Sequence, residues 1–148
     1  CKDTAQSTTG LMIFVGGTLV AWRSKAQRNW AQSATEAEFV AALAASNECC
    51  WWRNILSEMW HDSFEPNSPT IIWVDNDGAI MQSQHSCAFD ASKHYMLAYY
   101  ALRQRTEESV TVLRSIMTDF NYADLLTKAL QPGHFRSLAS EALGVDLR

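Results

Sequence analysis

TIIWVDND (Thr70–Asp77) decides how this chain is read. Thr70, Ile71, Ile72, Trp73 and Val74 form a nearly continuous apolar run that stops on Asp75-Asn76-Asp77. A run of this length, with Pro69 before it and acids after it, is the pattern of a strand covered on both faces. Such strands belong to sheets flanked by helices, and open α/β sheets place their ligands at strand ends. Asp75 is therefore either a carboxylate at a site or the start of an Asx-turn in DND, with Asp77 a turn residue.

The segments around it decide what kind of sheet this is. From about Thr35 to Trp60 the sequence is rich in Ala, Leu and Glu and has neither Pro nor Gly, which predicts a long helix. Ser33 with Glu36, and Thr35 with Glu38, both fit a capping box. Glu38 heads an apolar stripe through Ala42, Ala45, Cys49, Trp52 and Leu56, so it points along the buried face toward the sheet. Glu36 heads a more mixed stripe and is the better capping member. CCWWRNILSEMW reads as a core stripe rather than an aromatic platform for bases, with Trp30 and Trp60 the better candidates for exposure.

Before the helix, Leu11–Val15 and Leu19–Trp22 flank Gly16-Gly17 and predict a β-hairpin. After TIIWV, Asp77–Ser83 reads as a short helix, and Asp90 or Ser92 caps another in SKHYMLAYYALRQR. Ser109–Met117 is a further strand. Asn121 is the N-cap of a helix through NYADLLTKAL. HFRSLASEALG closes the chain as a helix with Phe135, Leu138, Ala139, Ala142 and Leu143 on one stripe and Gly144 as its C-cap. No repeat or linker interrupts this order, so residues 1–148 read as a single mixed α/β domain.

Composition narrows the classes. Hydrophobic residues make up 47% and charged ones 19%, which fits a folded globular chain. No apolar run approaches the roughly 20 residues of a membrane helix. CKDTAQSTTG has neither the basic nor the apolar region of a signal peptide. Net charge is −4, so a nucleic-acid partner needs a local basic patch, and Arg23, Lys25 and Arg28 form one. The four cysteines (Cys1, Cys49, Cys50, Cys87) include no CxxC pair, and His61, His85, His94 and His134 do not group with them. That spacing argues against zinc and a disulfide framework and for an intracellular setting. His94 and His134 carry only weak signals for proton transfer.

Three acids sit at element ends: Glu38 in the first turn of the long helix, Asp75 at the end of the strand, and Asp124 just after Asn121. Taken singly, each has a structural role available as cap, turn or helix-dipole partner. Converging on one end of a sheet, they would bind hard divalent cations. Mg²⁺ takes one or two carboxylates plus waters and substrate phosphates, and two such ions run in-line phosphodiester hydrolysis.

WRSKAQ, SATEAEFVAL, VDNDGAI, SKH and YADLLTKAL occur in this order. The ordered set resembles the ribonuclease H domain of Ty1/copia-type retrotransposon Pol polyproteins, whose blocks read close to SWKSKKQ, SSTEAEYVAL, DNxSAI, RSKH and QxADILTKPL. The resemblance covers essentially the whole chain. It implies an RNase H-like fold, a five-stranded mixed β-sheet flanked by α-helices. It also implies an Mg²⁺-dependent endonuclease, with two ions and Mn²⁺ as a substitute, that cuts the RNA of RNA–DNA hybrids during reverse transcription. Matched position by position, Glu38, Asp75 and Asp124 are the catalytic and metal-binding acids. The implied partners are the hybrid and an upstream reverse transcriptase domain of the same polyprotein, with no membrane. The implied location is a cytoplasmic virus-like particle or the nucleus.

Departures from the pattern qualify what is expected of this chain. The family's first catalytic Asp lies on a first strand, in a DADWAG-like stretch ahead of the position matched by QSTTGLMIF, and the chain begins at Cys1, after it. The domain is thus expected to lack the start of its first strand and to be inactive or nearly so as it stands. FDASKH and HYMLAYYAL have drifted from the family's HxRSKH and HIDIxYHF, and LTKAL from LTKPL. Arg23, Lys25, Arg28, Lys93 and Lys128 are candidate phosphate contacts, and Asn76 a candidate contact to a groove edge or 2′-OH. The alternative is a degenerate or co-opted non-catalytic module that binds nucleic acid or protein. An integrase-like relative on the same fold is disfavoured by the ordered blocks.

Overall fold

The structure is a computed structural model that describes residues 6–27, 31, 33–60, 68–84 and 93–146, with the backbone alone for residues 82, 84 and 93–95. Its first turn is set by Gly16 and Gly17, whose φ angles of 57° and 80° lie where a Cβ is disfavoured. They join β1 (Thr8–Val15) to β2 (Thr18–Ala26) in an antiparallel pair, with an irregularity between Ile13 and Phe14. β1 alternates cleanly, burying Thr9, Leu11 and Ile13.

Helix α1 (Ala34–Met59) packs over both this hairpin and a second strand pair. Its start is fixed by Ser33, whose hydroxyl accepts a hydrogen bond from the Glu36 N–H at 3.1 Å, so the first of the two capping readings holds. Phe39, Ala42, Ser46 and Cys49 are buried along it. The aromatic cluster of α1 divides: Trp52 packs against the core, while Trp51 and Trp60 are exposed. Burial in this core pushes the Cys49 thiol up to about 11, which leaves it an inert packing group.

β3 (Thr70–Val74) pairs with β4 (Thr111–Ser115) in parallel, Thr70 opposite Thr111 and Val74 opposite Ser115. Parallel neighbours need a crossover. It runs through α2 (Asp77–Gln84) and α3 (Lys93–Glu107), the latter burying Ala98, Tyr99 and Leu102 against α1 and β4. Two 3-10 helices, Thr118–Phe120 and Tyr122–Leu126, lead into α4 (Pro132–Leu143), which ends at Gly144 with φ 65° as expected for a left-handed C-cap. No helix among the described residues is long and apolar enough to cross a membrane.

Four expectations are corrected. Among the described residues the strands form two separate two-stranded sheets, not one continuous mixed sheet. β3 is covered on one face only: Ile72 and Val74 meet the core, whereas Ile71 and Trp73 are 47% and 55% exposed. Helices α1, α2 and α3 contact β3 or β4 and α4 contacts neither closely, so the apolar run reflects β propensity as well as burial. Asn121 caps a 3-10 helix rather than an α-helix: its side chain accepts from the Ala123 N–H at 3.2 Å, and the backbone bonds run Asp124 N–H to the Asn121 carbonyl and Thr127 N–H to the Asp124 carbonyl, three residues apart. Finally, Phe135 and Leu143 are exposed on α4, which buries only Leu138, Ala139 and Ala142. Trp30, Arg28, the Asp90 or Ser92 cap, His61, His85, Cys1 and Cys87 lie outside the described residues, as do the side chains of Lys93 and His94.

Candidate functional site

Three elements deliver the predicted acids to one cleft of about 460 Å³. Glu38 comes from the second turn of α1, Asp75 from the residue after β3, and Asp124 from the 3-10 helix that Asn121 caps. Gln6, Ser7 and Thr8, at the start of β1, complete the rim together with Lys128. The 3-10 helix reaches this position because β1 carries no side chain at Gly10. A Cβ there would stand 2.8 Å from the Ala123 carbonyl oxygen and 2.5 Å from Thr127 Cγ2. Ser24 on β2 secures the same segment by donating to the Leu126 carbonyl at 2.7 Å.

Asp124 is 5% exposed. Lys128 Nζ lies 2.7 Å from its Oδ2 as an ion pair, outside hydrogen-bonding geometry, so Oδ2 accepts no hydrogen bond despite its burial. Glu38 is held above the ordinary carboxylate range, first by burial and then by the negative charges of Asp75 and Asp124, with Lys128 pulling the other way. The three acids therefore feel one another electrostatically. Among the described residues no three acid, His or Cys side chains are grouped tightly enough to close around one ion. An orphaned buried carboxylate oxygen, beside acids that repel, nonetheless fits Mg²⁺ in charge and donor type. That ion keeps several waters and needs only one or two carboxylates at a time.

The neighbouring candidates divide. Asp77 accepts from Ser115 Oγ at 3.0 Å and ties α2 to β4, in keeping with a structural turn residue. Asn76 accepts from the Ala79 N–H at 3.1 Å, so its carbonyl oxygen caps α2, a role its sequence context did not reveal. Arg23 is ion-paired to Glu48 of α1, while Lys25 is exposed two positions further along β2. His134 Nε2 lies 3.2 Å from the Asp119 carbonyl oxygen and holds α4 to the preceding turn, away from the acids. The packing role of Gly10 and the burial of Gln27, which donates to Thr9 Oγ1 and to the Ala37 carbonyl, carried no sequence signal.

No protein-family model matches the chain, and no solved structure matches it. Curated proteins do. Among them are transposon Pol polyproteins that match nearly its whole length. It is 30% identical over 143 residues, 97% of its length, to the retrovirus-related Pol polyprotein from transposon TNT 1-94 of Nicotiana tabacum. Two Arabidopsis thaliana relatives, the corresponding polyproteins from transposons RE1 and RE2, are each 29% identical over 95% and 97% of the chain. The chain spans about a tenth of the length of these polyproteins: 10%, 9% and 10% respectively.

Proposed function

We propose that this chain is the RNase H-type region of a Ty1/copia-like Pol polyprotein, an endonuclease domain for the RNA strand of RNA–DNA hybrids. The observation that carries the reading is the meeting of Glu38, Asp75 and Asp124, from three separate elements, in one cleft. The relatives support the polyprotein setting, and the ordered sequence blocks support the ribonuclease within it.

Glu38, Asp75 and Asp124 would hold the divalent cations, which when bound activate a water for in-line attack and stabilise the leaving oxygen. The chain's own contribution is electrostatic. Burial and mutual repulsion raise the energy of the acid-rich cleft without cations and favour their uptake. Lys25, exposed on β2, and Lys128 at the cleft rim can meet the hybrid's phosphates.

A labelled RNA–DNA hybrid titrated with Mg²⁺ or Mn²⁺ tests the reading. Even weak cleavage, lost in Asp75→Asn, supports the nuclease. Hybrid binding without cleavage, unchanged by Asp75→Asn, supports the second reading, a non-catalytic module. That alternative is favoured by one observation: no three ligating side chains among the described residues are closely grouped.

A further inference from the structure

Leu11 and Ile13 of β1 and Phe39 and Ala42 of α1 belong to one apolar core. At the end that carries the acids the character of this packing changes. Thr9, the first buried residue of β1, and Gln27, which follows β2, are 7% and 8% exposed, and both are polar. A buried primary amide is costly unless its hydrogens find acceptors. Those of Gln27 do: Nε2 donates to Thr9 Oγ1 at 3.0 Å and to the Ala37 carbonyl oxygen at 2.9 Å. Its backbone N–H donates to the Ser7 carbonyl at 2.8 Å.

These three bonds bracket the acid cleft. Ser7 and Ala37 both line it, the one ahead of β1 and the other on α1 beside Glu38. Gln27 is not among the lining residues. It stands behind the wall, so any effect it has on a bound group passes through other residues.

The bond to Ala37 matters most. That carbonyl oxygen belongs to the peptide unit joining Ala37 to Glu38, and a peptide unit is planar and rigid. Holding the oxygen therefore holds the Glu38 nitrogen and Cα as well. A carbonyl has a second lone pair, so this bond adds to the helix ladder without breaking it. Apolar contacts are non-directional and would let α1 shift on β1. The amide, by contrast, fixes one particular peptide against one particular strand residue.

We propose that Gln27 is the positioning residue for Glu38. It locks the Ala37–Glu38 peptide to Thr9 of β1 and so sets where the Glu38 carboxylate stands relative to Asp75 and Asp124. The proposal rests on the reading of the cleft as a divalent-cation site. Such a site tolerates little displacement of its ligands, and a group that acts behind a ligand is worth roughly tenfold or more in metal affinity.

The test compares Gln27→Met, Thr9→Val and the double variant with the parent 148-residue chain. Met keeps the length of the side chain without its donors, and so strands the Thr9 hydroxyl and the Ala37 carbonyl. Thr9→Val alone leaves the bond to Ala37. In the double variant two apolar side chains replace the polar pair. Stability should then recover part of the loss seen in Gln27→Met, while the peptide ahead of Glu38 stays unheld.

In metal-free protein, amide exchange at Glu38 and Phe39 is expected to quicken roughly tenfold in Gln27→Met and in the double variant, with Ser46 and Cys49 further along α1 unchanged. Mn²⁺ affinity by calorimetry is expected to fall about tenfold in the same two variants and to keep the parent's value in Thr9→Val. Affinity that recovers together with stability in the double variant would make Gln27 a structural clamp and overturn the proposal. So would exchange that quickens evenly along α1, or affinity lost equally in Thr9→Val. If the parent binds no Mn²⁺, the nuclease reading fails, and exchange at Glu38 alone decides whether Gln27 holds that residue.

Discussion

Lys128 holds its ammonium 2.7 Å from Asp124 Oδ2, in the cleft shared with Glu38 and Asp75. The two residues are four apart in sequence, and their exposures differ sharply: the Asp124 side chain is 7% exposed and that of Lys128 is 48%. The acid is therefore fixed while its cation can swing into water. A buried carboxylate oxygen without a hydrogen bond is costly unless a nearby charge compensates it. Lys128 supplies that charge, and a divalent cation would supply more of it at the same oxygen.

Removing the built-in cation should therefore improve metal binding. Lys128→Met is expected to raise Mn²⁺ affinity roughly fivefold by calorimetry, the equivalent of the ~1 kcal/mol typical of a half-exposed pair. Asp124→Asn should abolish that binding. Unchanged affinity in Lys128→Met would show that the lysine and the ion do not share Asp124.

Glu38 makes stability depend on pH. Its folded-state value is raised from 4.5 by burial, Asp75 and Asp124, so the native state holds the proton more tightly than the unfolded chain. Stability then falls as pH rises from about 4.5 through the folded value, and the loss is complete above it. Glu38→Gln removes this loss. Its Tm at pH 7 should exceed that of the parent by on the order of 3 °C, with the two converging below pH 4.5. A Tm difference that does not change with pH would assign the effect to packing instead.

How far these features were legible depended on whether their causes were local. Ser33 and Glu36, Gly16-Gly17 and Gly144 act within a few residues, and each behaves as its sequence context indicates. The three acids were found by element ends and an ordered set of blocks, and the fold does bring them to one cleft. What failed was non-local. The apolar run Thr70–Val74 looks the same whether one or two faces are covered, and only the layer arrangement decides it. Asn121 announced a cap, but nothing local announced that the capped turn would rest on Gly10, more than a hundred residues away.

That approach is itself open to test. A methyl group at Gly10 would meet the Ala123 carbonyl at 2.8 Å, and a backbone oxygen cannot rotate away. Gly10→Ala should cost about 1–3 kcal/mol in urea denaturation, as overpacking does. It should also displace Asp124 and so weaken Mn²⁺ binding. Adding Thr127→Ala removes the other close contact, at 2.5 Å, and should recover part of the stability. Full stability in Gly10→Ala would show that the 3-10 helix moves freely on β1.

Arg105 illustrates a basic residue whose work is internal. Its guanidinium donates to Ser46 Oγ at 2.9 Å and to Asn47 Oδ1 at 2.6 Å, and Ser46 in turn shares a 3.0 Å hydrogen bond with Thr111 Oγ1. Ser46 and Thr111 are 0% and 1% exposed, so the bond between α1 and β4 lies beyond the reach of water, while Arg105 reaches in from α3 with its bond to Asn47 at the surface. Ser46 thus stands between the two, accepting from Arg105 and sharing a hydrogen bond with Thr111. Ser46→Ala strands both partners and should cost about 1–3 kcal/mol in urea denaturation. Thr111→Val combined with Ser46→Ala should cost less than the sum of the single changes, because the second removes a hydroxyl already left without its partner. Additive losses would mean that each hydroxyl finds another partner and that the three elements are joined by packing alone.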